Sequence, residues 1–324
     1  MKGKTGYYLR LARLYRSYRR RDAVVPSPPL RLWVEISSRC NLRCAVCPNK
    51  DLAADQKGDM EWNLFQKVID QGRTFAFEIN LHHRGETLLH PQAGRFIRYA
   101  SQAGIFTRLH TNATLLDGRI SEEILASGLQ RLSVSFDGFD AAAYEKNRAG
   151  ASFEQVADHI EAFLRLRRQA GKKTPRLAIE VMELPAGAAQ KNARLAFAAR
   201  FKKQGLDELV IKKPHNWAGH LGTPAKSAAF SACTFPWNAL LVFFNGDVLP
   251  CAQDFFGRNR LGSAHEEPLL DIWNGASMQE IRRAFAEGRL STFPACSACD
   301  RIWRPTMGGF PREYLKRLLR RRMP

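Results

Sequence analysis

Three cysteines stand close together early in the chain, at Cys40, Cys44 and Cys47. They form a C-x3-C-x2-C pattern directly after the apolar segment 32–36. Three thiolates at this spacing can hold three irons of a cubane cluster and leave the fourth iron open to another chelator. Part of a structural zinc site and three buried thiols are alternative interpretations. Zinc sites usually pair two knuckles, so the spacing favours an iron–sulfur cluster with one open iron.

Four more cysteines lie in the last third of the chain, at Cys233, Cys251, Cys296 and Cys299. The pair Asn245-Gly246 before Cys251 predicts a hairpin turn. Four thiols form a closed site, either a second iron–sulfur cluster or a zinc, and the spacing alone does not separate the two. An odd total of seven cysteines in a chain without a signal sequence argues for metal binding or catalysis and against disulfides.

The length of 324 residues allows one large α/β domain with a small appendage. An apolar content of 45% predicts a globular protein. No stretch approaches eighteen uninterrupted apolar residues, and the basic N-terminus lacks an apolar signal core. We therefore expect a cytoplasmic protein without a membrane-spanning helix.

Both termini carry much of the formal net charge of +19. Residues 1–21 contain eight bases and no acid, and residues 312–322 contain six bases and one Glu. This charge favours an acidic partner such as anionic lipid, nucleic acid or an acidic protein. No known nucleic-acid-binding motif accompanies the charge, which makes nucleic acid the weakest of the three.

The segment 8–21 has the spacing of an amphipathic helix. Most arginines fall on one side, and the other side carries Tyr8, Leu11, Ala12, Leu14, Tyr15 and Tyr18. One interpretation is a helix lying on the anionic inner surface of the membrane. The other is a helix that packs its aromatic stripe on its own domain. The sequence leaves both open.

Strands and helices alternate after the stiff segment Pro26-Ser27-Pro28-Pro29. Strands are predicted near 32–36, 75–81, 106–111, 131–136, 176–182 and 208–213, and helices near 62–71, 90–103, 120–127, 152–169 and 188–203. This alternation predicts parallel strands in an α/β fold, with a doubly wound sheet as the fallback. Polar clusters end four successive strands, at Cys40, Arg84-Gly85-Glu86, Thr111-Asn112 and Ser135 with Asp137. Such clusters meet at the C-terminal mouth of a barrel, which is therefore favoured.

Alternation within the strands predicts a polar barrel lumen. Apolar side chains should meet the helices, so the opposite, polar face points inward, where burial requires pairing or water. This favours a hydrophilic substrate, and the alternative interpretation is that the polar groups satisfy one another. Candidate general bases are Glu78, His82 and Glu180 in the lumen and His215 after the sixth strand.

The run Cys40-Asn41-Leu42-Arg43-Cys44-Ala45-Val46-Cys47 closely resembles the radical S-adenosylmethionine (SAM) superfamily. The resemblance implies a partial (β/α)6 TIM-like barrel and a [4Fe-4S] cluster on the three cysteines. It also implies that SAM chelates the fourth iron through its amino and carboxylate groups. Val46 stands where many members carry an aromatic residue that contacts adenine, which weakens that one contact.

Further motifs resemble the SAM-binding segments of the family. Gly85-Glu86 looks like part of the Gly-Gly-Glu-Pro segment that grips the SAM amino group, with Arg84 and Thr87 replacing the first Gly and the Pro. Asn112 lies in a segment similar to Thr-Asn-Gly. Ser135 and Arg148 match a serine that contacts the SAM ribose or carboxylate and an arginine that pairs with the carboxylate.

The C-terminal part resembles a truncated SPASM or Twitch module, which holds one auxiliary [4Fe-4S] cluster. The resemblance rests on Cys233, the Gly246 turn, Leu249-Pro250-Cys251, Leu270-Asp271-Ile272-Trp273 and Cys296-Ser297-Ala298-Cys299. It implies four thiolate ligands to the second cluster. The domains predicted are a basic arm at 1–29, the barrel at 30–214, the auxiliary cluster domain at 215–305 and a basic tail at 306–324.

The resemblance implies reductive cleavage of SAM to a 5′-deoxyadenosyl radical that removes a substrate hydrogen. No free thiol remains if both clusters form, so an epimerase that returns hydrogen from cysteine is disfavoured. We therefore expect an oxidoreductase that completes a two-electron dehydrogenation of a sugar-like substrate through the auxiliary cluster. Peptide maturation is the alternative, and a non-enzymatic iron–sulfur or nucleic-acid-binding protein is a third hypothesis. An acidic flavodoxin or ferredoxin is expected to dock on the basic surface as electron donor.

Overall fold

The computed structural model describes residues 3–182, 189–222, 230–307 and 310–312. Most of the predicted basic tail, from 313 onward, lies outside these residues. Among the helices that the structure describes, none has both the length and the apolar character needed to cross a membrane.

Helices and strands alternate along the chain as predicted. The helices are α1 (Lys4–Arg20), α2 (Trp62–Phe75), α3 (Ala93–Gln102), α4 (Gly118–Ala126), α5 (Ala141–Asn147), α6 (Phe153–Gln169), α7 (Ala189–Lys203), α8 (Leu269–Trp273), α9 (Ala276–Glu287) and α10 (Pro294–Ser297). The strands are β1 (Arg31–Val34), β2 (Glu78–Asn80), β3 (Phe106–Thr111), β4 (Arg131–Ser135), β5 (Arg176–Met182), β6 (Glu208–Lys212), β7 (Ala239–Val242), β8 (Asp247–Leu249), β9 (Gly262–Ser263), β10 (Thr306–Met307) and β11 (Phe310–Pro311). The predicted α/β class is confirmed.

The chain forms two compact units. One, which we call the cysteine-loop unit, consists of Glu35–Asp59 and Asn80–Pro214. The other, the terminal unit, consists of Met1–Val34, Met60–Ile79 and His215–Pro324. The predicted domain boundaries at 29/30, 214/215 and 305/306 stay predictions.

Parallel strands form the sheet of the cysteine-loop unit. β3 pairs with β4, β4 with β5 and β5 with β6, all in parallel. Leu132 and Val134 on β4 are fully buried, as the alternation predicts. Side-chain caps begin the helices: Asp117 accepts from the Ile120 N–H of α4, and Ser152 from the Gln155 N–H of α6. These caps satisfy N–H groups that a helix start otherwise leaves unpaired.

Strands of the terminal unit also pair with one another. β1 pairs in parallel with β7, and β7, β8 and β9 are antiparallel neighbours. The turn between β7 and β8 is the predicted hairpin, and Gly246 adopts a φ of 87° there. A Cβ at this position would also meet the His265 ring at 2.5 Å, so both backbone conformation and space require glycine.

Helix α1 packs on the terminal unit. Its buried side chains include Tyr7, Leu14 and Tyr18. The Tyr7 and Tyr18 rings make edge contacts with Phe77 at 5.5 Å and with Trp237 at 5.6 Å. The packing interpretation is therefore favoured over the membrane one. The predicted stripe was partly wrong, because Tyr8 and Ala12 are exposed and Tyr7 takes the buried position.

A buried ion pair joins the residue after β1 to the segment after β2. The Arg84 guanidinium donates to both carboxylate oxygens of Glu35, at 2.7 and 2.6 Å, and the Arg84 backbone N–H adds a third bond at 3.1 Å. Burial alone would raise the pKa of Glu35, but the charge and hydrogen bonds of Arg84 outweigh it and lower the pKa to about 2.

We predict that Glu35→Gln strongly destabilises the protein, because it removes the buried negative charge to which the Arg84 guanidinium donates two hydrogen bonds. The free energy of unfolding at pH 7, measured by urea denaturation, should fall by about 3–5 kcal/mol. The control is Glu123→Gln, which removes an exposed ion pair with Arg119 of 2.7 Å and should cost at most about 0.5 kcal/mol. Equal losses in the two variants would contradict the prediction.

The same pair predicts a pH dependence. The folded pKa of Glu35, about 2, lies below its ordinary value of 4.5, so its stabilising contribution is complete above that ordinary value. The contribution is lost as the pH falls from about 4.5 to about 2. Glu35→Gln should lack this part of the acid transition, which a pH series of the denaturation midpoint would measure.

Candidate active site

The cysteine loop is fixed to the segment after β2 by backbone and side-chain hydrogen bonds. The Asn49 amide donates to the carbonyls of Ser38 and Arg84, at 2.7 and 2.9 Å. The Glu86 N–H donates to the Arg39 carbonyl at 2.7 Å. Side chains on the two segments are therefore held in a fixed arrangement.

Gly85 lies where the two segments touch. A Cβ there would come within 2.5 Å of the carbonyl oxygens of Ser37 and Arg39, too close for any other residue. The close backbone approach inferred from the family motif is thus present. Arg84, which departs from that motif, has a structural role because it neutralises the buried Glu35.

The other side of the cysteine loop runs along the end of α5. The N–H groups of Arg43 and Ala45 donate to the carbonyls of Ala149 and Asn147, at 3.0 and 2.9 Å. This places Arg148 beside Cys44, with Nη1 at 3.9 Å from Sγ.

A carboxylate orients the Arg148 side chain. Arg148 Nη2 lies 2.7 Å from Asp137 Oδ2, and Asp137 Oδ1 accepts from the Met182 N–H at 3.0 Å. Asp137 is itself buried, so its charge and that of Arg148 compensate each other.

Burial raises the pKa of all three thiols of the loop, to about 11 for Cys40 and about 12 for Cys47, with the same direction for Cys44. The sulfur atoms interact electrostatically with one another and with Arg148. Buried thiols become thiolates when a metal supplies compensating charge. The donor set therefore fits an iron–sulfur cluster.

Two buried polar atoms near Cys44 have no hydrogen-bond partner among the described residues, namely Arg148 Nε and Tyr144 Oη. Both groups interact electrostatically with Cys44. Such orphaned donors are costly unless a ligand completes them. A polar ligand with acceptor groups next to the cluster fits this position.

Glu86 and Asn112 are linked. The Glu86 carboxylate accepts from the N–H groups of Asn112 and Leu88, at 2.6 and 3.1 Å. Burial raises the pKa of Glu86, and these hydrogen bonds oppose the shift. The Asn112 side chain donates to Asn41 at 2.9 Å and accepts from Thr114. Asn112 therefore holds the cysteine loop in place.

The other two predicted SAM contacts are half-buried. Ser135 is the last residue of β4, and Val46 lies between two of the cysteines. The side chains of both are therefore partly accessible to a ligand.

One row of polar side chains on the strands of the cysteine-loop unit contains two predicted bases, Glu180 and His82, with His110 and Lys212. Lys212 forms an ion pair with Glu180. His110 Nε2 lies 3.6 Å from Glu180 Oε1, and the His82 and His110 rings are 4.3 Å apart. His110 and Lys212 were missed in the sequence. Their alternation along β3 and β6 was available as a signal, but only the strand register shows that they join Glu180.

Both histidines of the row are neutral at physiological pH. Burial lowers the pKa of His82 to about 3, and burial and then His82 lower that of His110 well below its usual range. His82 Nδ1 accepts from the His110 backbone N–H at 3.2 Å, which leaves the ring hydrogen on Nε2.

The structure does not group the other two predicted bases with this row. Glu78 belongs to the terminal unit, where it is buried and lies 3.6 Å from Arg31 Nε. His215 belongs to the same unit and packs its ring on Trp217 at 4.2 Å.

The other four cysteines come together in the terminal unit. Cys251, Cys296 and Cys299 each interact electrostatically with Cys233, and none of the seven cysteines forms a disulfide. Burial raises the pKa of all four thiols, to about 12 for Cys299. The set has the composition of a closed four-thiolate site.

Hydrogen-bond donors point at these sulfur atoms. The N–H groups of Gln253 and Arg301 donate to Cys251 at 3.2 Å and to Cys299 at 3.4 Å. The Asn259 amide donates to Cys296 at 3.5 Å. Such donors stabilise thiolates that bind iron. The four thiols therefore fit an auxiliary cluster.

Fold and sites together define an iron–sulfur enzyme with one open and one closed cluster site. Residues 34–172 match the radical SAM superfamily, and residues 233–300 match SPASM, an iron–sulfur cluster-binding domain. The chain belongs to the radical SAM superfamily and has a C-terminal SPASM domain. Its cofactors are therefore SAM, the SAM-binding [4Fe-4S] cluster and an auxiliary cluster.

Two curated relatives match along most of their length. The S-adenosyl-L-methionine-dependent 2-deoxy-scyllo-inosamine dehydrogenase of Niallia circulans is 25% identical, covering 83% of this chain and 92% of the relative. A Pyrococcus furiosus protein that modifies the cofactor of tungsten-containing aldehyde ferredoxin oxidoreductase is also 25% identical, covering 83% and 86%.

Solved structures share the fold. BtrN in complex with AdoMet and 2-DOIA gives a TM-score of 0.59 at 22% identity, covering 85% of this chain and 94% of BtrN. Streptococcus suis SuiB bound to the precursor peptide SuiA gives 0.62 at 17% identity, covering 90% and 73%. The predicted partial barrel with a small cysteine-rich extension is confirmed.

We predict that Gly85→Ala disrupts the first cluster site, because the added Cβ would push the cysteine loop away from its neighbour. Anaerobically reconstituted protein should retain about four of the roughly eight irons that two cubane clusters require. The control is Gly118→Ala at the exposed start of α4, where a Cβ meets nothing within 4 Å, and it should retain all the iron. Full iron content in Gly85→Ala would refute the prediction.

Proposed function

We propose that the protein is a radical SAM dehydrogenase that oxidises a hydroxyl group of a sugar-like, polar substrate to a carbonyl. The observation that carries this proposal is the polar strand face of the cysteine-loop unit, where the Glu180 carboxylate lies between Lys212 and His110. When bound, SAM and the two clusters supply the 5′-deoxyadenosyl radical and an acceptor for the second electron. The similarity to an inosamine dehydrogenase supports the same substrate class.

The residues around Cys44 fit the polar end of SAM. We assign Arg148 to its carboxylate, because a guanidinium matches a carboxylate and Arg148 Nε lacks a partner among the described residues. Asp137 positions Arg148. We assign Glu86 to the amino group, with Gly85 allowing the close approach. Lesser contacts are assigned to Ser135 and Val46, and Asn112 positions the loop.

Oxidation of an alcohol removes a hydrogen atom from carbon, a proton from oxygen and one electron. Glu180 is the proton acceptor in this proposal, because the adjacent Lys212 stabilises its negative charge. His82 is less suited, since its Nδ1 already accepts a backbone hydrogen bond and its Nε2 carries the hydrogen. His215 and Glu78 lie in the other unit and receive no role.

The number of cysteines favours oxidation over epimerisation. An epimerase of this kind returns a hydrogen atom from a free thiol, and here the two sites take all seven cysteines. The carbon radical therefore has no thiol to quench it and loses an electron.

Peptide modification is the second candidate. Its support is the likeness to SuiB bound to its precursor peptide, with the TM-score of 0.62, and to a PqqA peptide cyclase of Xanthomonas euvesicatoria, 22% identical over 77% of this chain. The polar strand face would then meet a peptide side chain.

A flavodoxin- or ferredoxin-type protein is the proposed electron donor, since SAM cleavage consumes one electron. Attachment of α1 to an anionic membrane surface is the less supported partner hypothesis, because Leu14 and Tyr18 of its apolar stripe are buried against the terminal unit. Nucleic acid receives no support from any motif.

We predict that Cys296→Ser separates the two halves of the reaction. It removes one auxiliary ligand, so the iron content should fall to about half while SAM cleavage by dithionite continues. With a panel of aminocyclitols, deuterium should still move from substrate carbon to 5′-deoxyadenosine, but the carbonyl product should fall at least about tenfold. Transfer from a precursor peptide, and from no aminocyclitol, would favour the second candidate and refute the first.

We predict that Glu180→Gln slows dehydrogenation by about 10²–10⁴-fold, because an amide cannot accept the hydroxyl proton. Iron content and uncoupled SAM cleavage should stay unchanged. The control is Glu208→Gln, since Glu208 is a strand carboxylate of the same unit, paired with Arg131 at 2.9 Å. Equal loss in both variants, measured as product formed under single-turnover conditions, would exclude a specific role of Glu180.

A further inference from the structure

The outward face of α1 carries a row of arginines. Arg13, Arg16 and Arg20 follow one another at helical spacing and are exposed, and we call them the basic stripe. The helix contains no acidic residue, and Arg20 has an ion pair with Asp22 at 3.4 Å, just beyond the helix end. The stripe therefore presents concentrated positive charge to an approaching molecule.

The inward face of α1 is already used. Tyr7, Leu14 and Tyr18 are buried against the terminal unit. A helix that binds a bilayer surface needs an apolar face to insert, and here that face is covered. The stripe can therefore act through charge, and its partner should be an acidic molecule.

The end of α1 lies beside the auxiliary site, within the same unit. The Tyr18 hydroxyl donates to the carbonyl of Ala232, the residue before Cys233, at 2.8 Å. Tyr18 also interacts electrostatically with Cys233 itself. Arg21 packs on the Tyr18 ring at 4.3 Å, which extends the positive charge toward this cysteine.

A second group of cations reaches the same cysteine from the end of the domain. Arg301 and Arg304 both interact electrostatically with Cys233. The Arg301 guanidinium also lies 5.5 Å from the Phe235 ring, next to the cysteine segment. Asp300 also acts on Cys233, so the two arginines outnumber one acid on this side of the auxiliary site.

We propose that the basic stripe of α1 is the docking surface for a small acidic electron carrier, a flavin or iron–sulfur protein, that exchanges single electrons with the auxiliary site. This inference rests on the proposed dehydrogenation, in which each turnover leaves one electron at the auxiliary site. The oxidised carrier takes that electron and becomes reduced by one, and no bond or proton changes. Opposite charges steer such an encounter and speed association, and salt weakens it.

The experiment compares two charge-reversed holoenzymes. One carries Arg13→Glu and Arg16→Glu in the stripe. The control carries Arg165→Glu and Arg168→Glu, two exposed arginines at the same i, i+3 spacing on α6 of the cysteine-loop unit. Both variants change the net charge by the same amount. A difference between their association rates therefore depends on where the reversed charges lie, on α1 or on α6.

Two rates are measured. A surface-binding assay gives the rate at which each variant associates with an acidic flavodoxin or ferredoxin, and stopped-flow spectroscopy gives the rate of electron exchange. The stripe variant should associate at least about tenfold more slowly at low salt, and the difference should vanish at about 0.5 M salt. Equal slowing in both variants, or association without salt dependence, would overturn the proposal. So would stripe-dependent binding to phosphatidylglycerol vesicles without stripe-dependent carrier binding.

Dithionite separates this proposal from the dehydrogenase proposal, because it needs no docking surface. One outcome is that dithionite supports substrate oxidation while the stripe variant binds the carrier at the normal rate. The docking proposal would then be wrong, and the dehydrogenase proposal would stand. If no carbonyl product forms with dithionite but carrier association still depends on the stripe, the docking surface stands and the proposed reaction fails.

Discussion

The buried carboxylate of Glu35 sets the geometry of the first site. A charge without solvent must be paired, and Arg84 compensates it most, with two bonds from its guanidinium and one from its backbone, while His83 Nδ1 lies 3.4 Å from the same carboxylate. This requirement places the segment after β2 against the cysteine loop. Gly85 then touches the loop backbone, and Glu86 is positioned to accept from Asn112. Arg84, a departure from the family motif, is thus the residue on which the arrangement depends.

Burial disfavours the thiolate form of the cysteines at both sites, and the two sites differ in the groups that surround the thiols. At the first site a guanidinium lies near the thiol of Cys44, and two buried donors remain unpartnered among the described residues, as expected where a ligand completes the coordination. At the second site four thiols gather, and N–H groups donate to sulfur atoms, as those of Leu42 and Asn49 do to Cys40 and Cys47 at the first. The number of thiols and the unpartnered donors beside Cys44 therefore distinguish an open site that takes SAM from a closed one.

Helices and strands with clear periodicity were predictable from the sequence. The side chains that they bring together in the folded protein were not. The bounds of β3 and β5 were predicted to the residue. Helix α5 was missed because seven residues are too few for an apolar repeat, although Asp140 is a recognisable N-cap. Alternation gave the polar face of each strand, but the grouping of Glu180 with Lys212 and His110 depends on tertiary register. For the same reason, sequence alone proposed Glu78 and His215 as equals of Glu180.

The ion pair with Lys212 limits how long Glu180 can keep a proton. Protonation of Glu180 would weaken its ion pair with the exposed Lys212 ammonium, so the pair favours the ionised carboxylate. His110 Nε2 lies on the other side of the carboxylate, 3.6 Å from Glu180 Oε1. Burial holds the pKa of His110 well below its usual range, so this imidazole is a poor acceptor for that proton. The exposed Lys212 side of the pair, not the neutral histidines, is therefore where solvent can take the proton and return Glu180 to the ionised state that dehydrogenation requires.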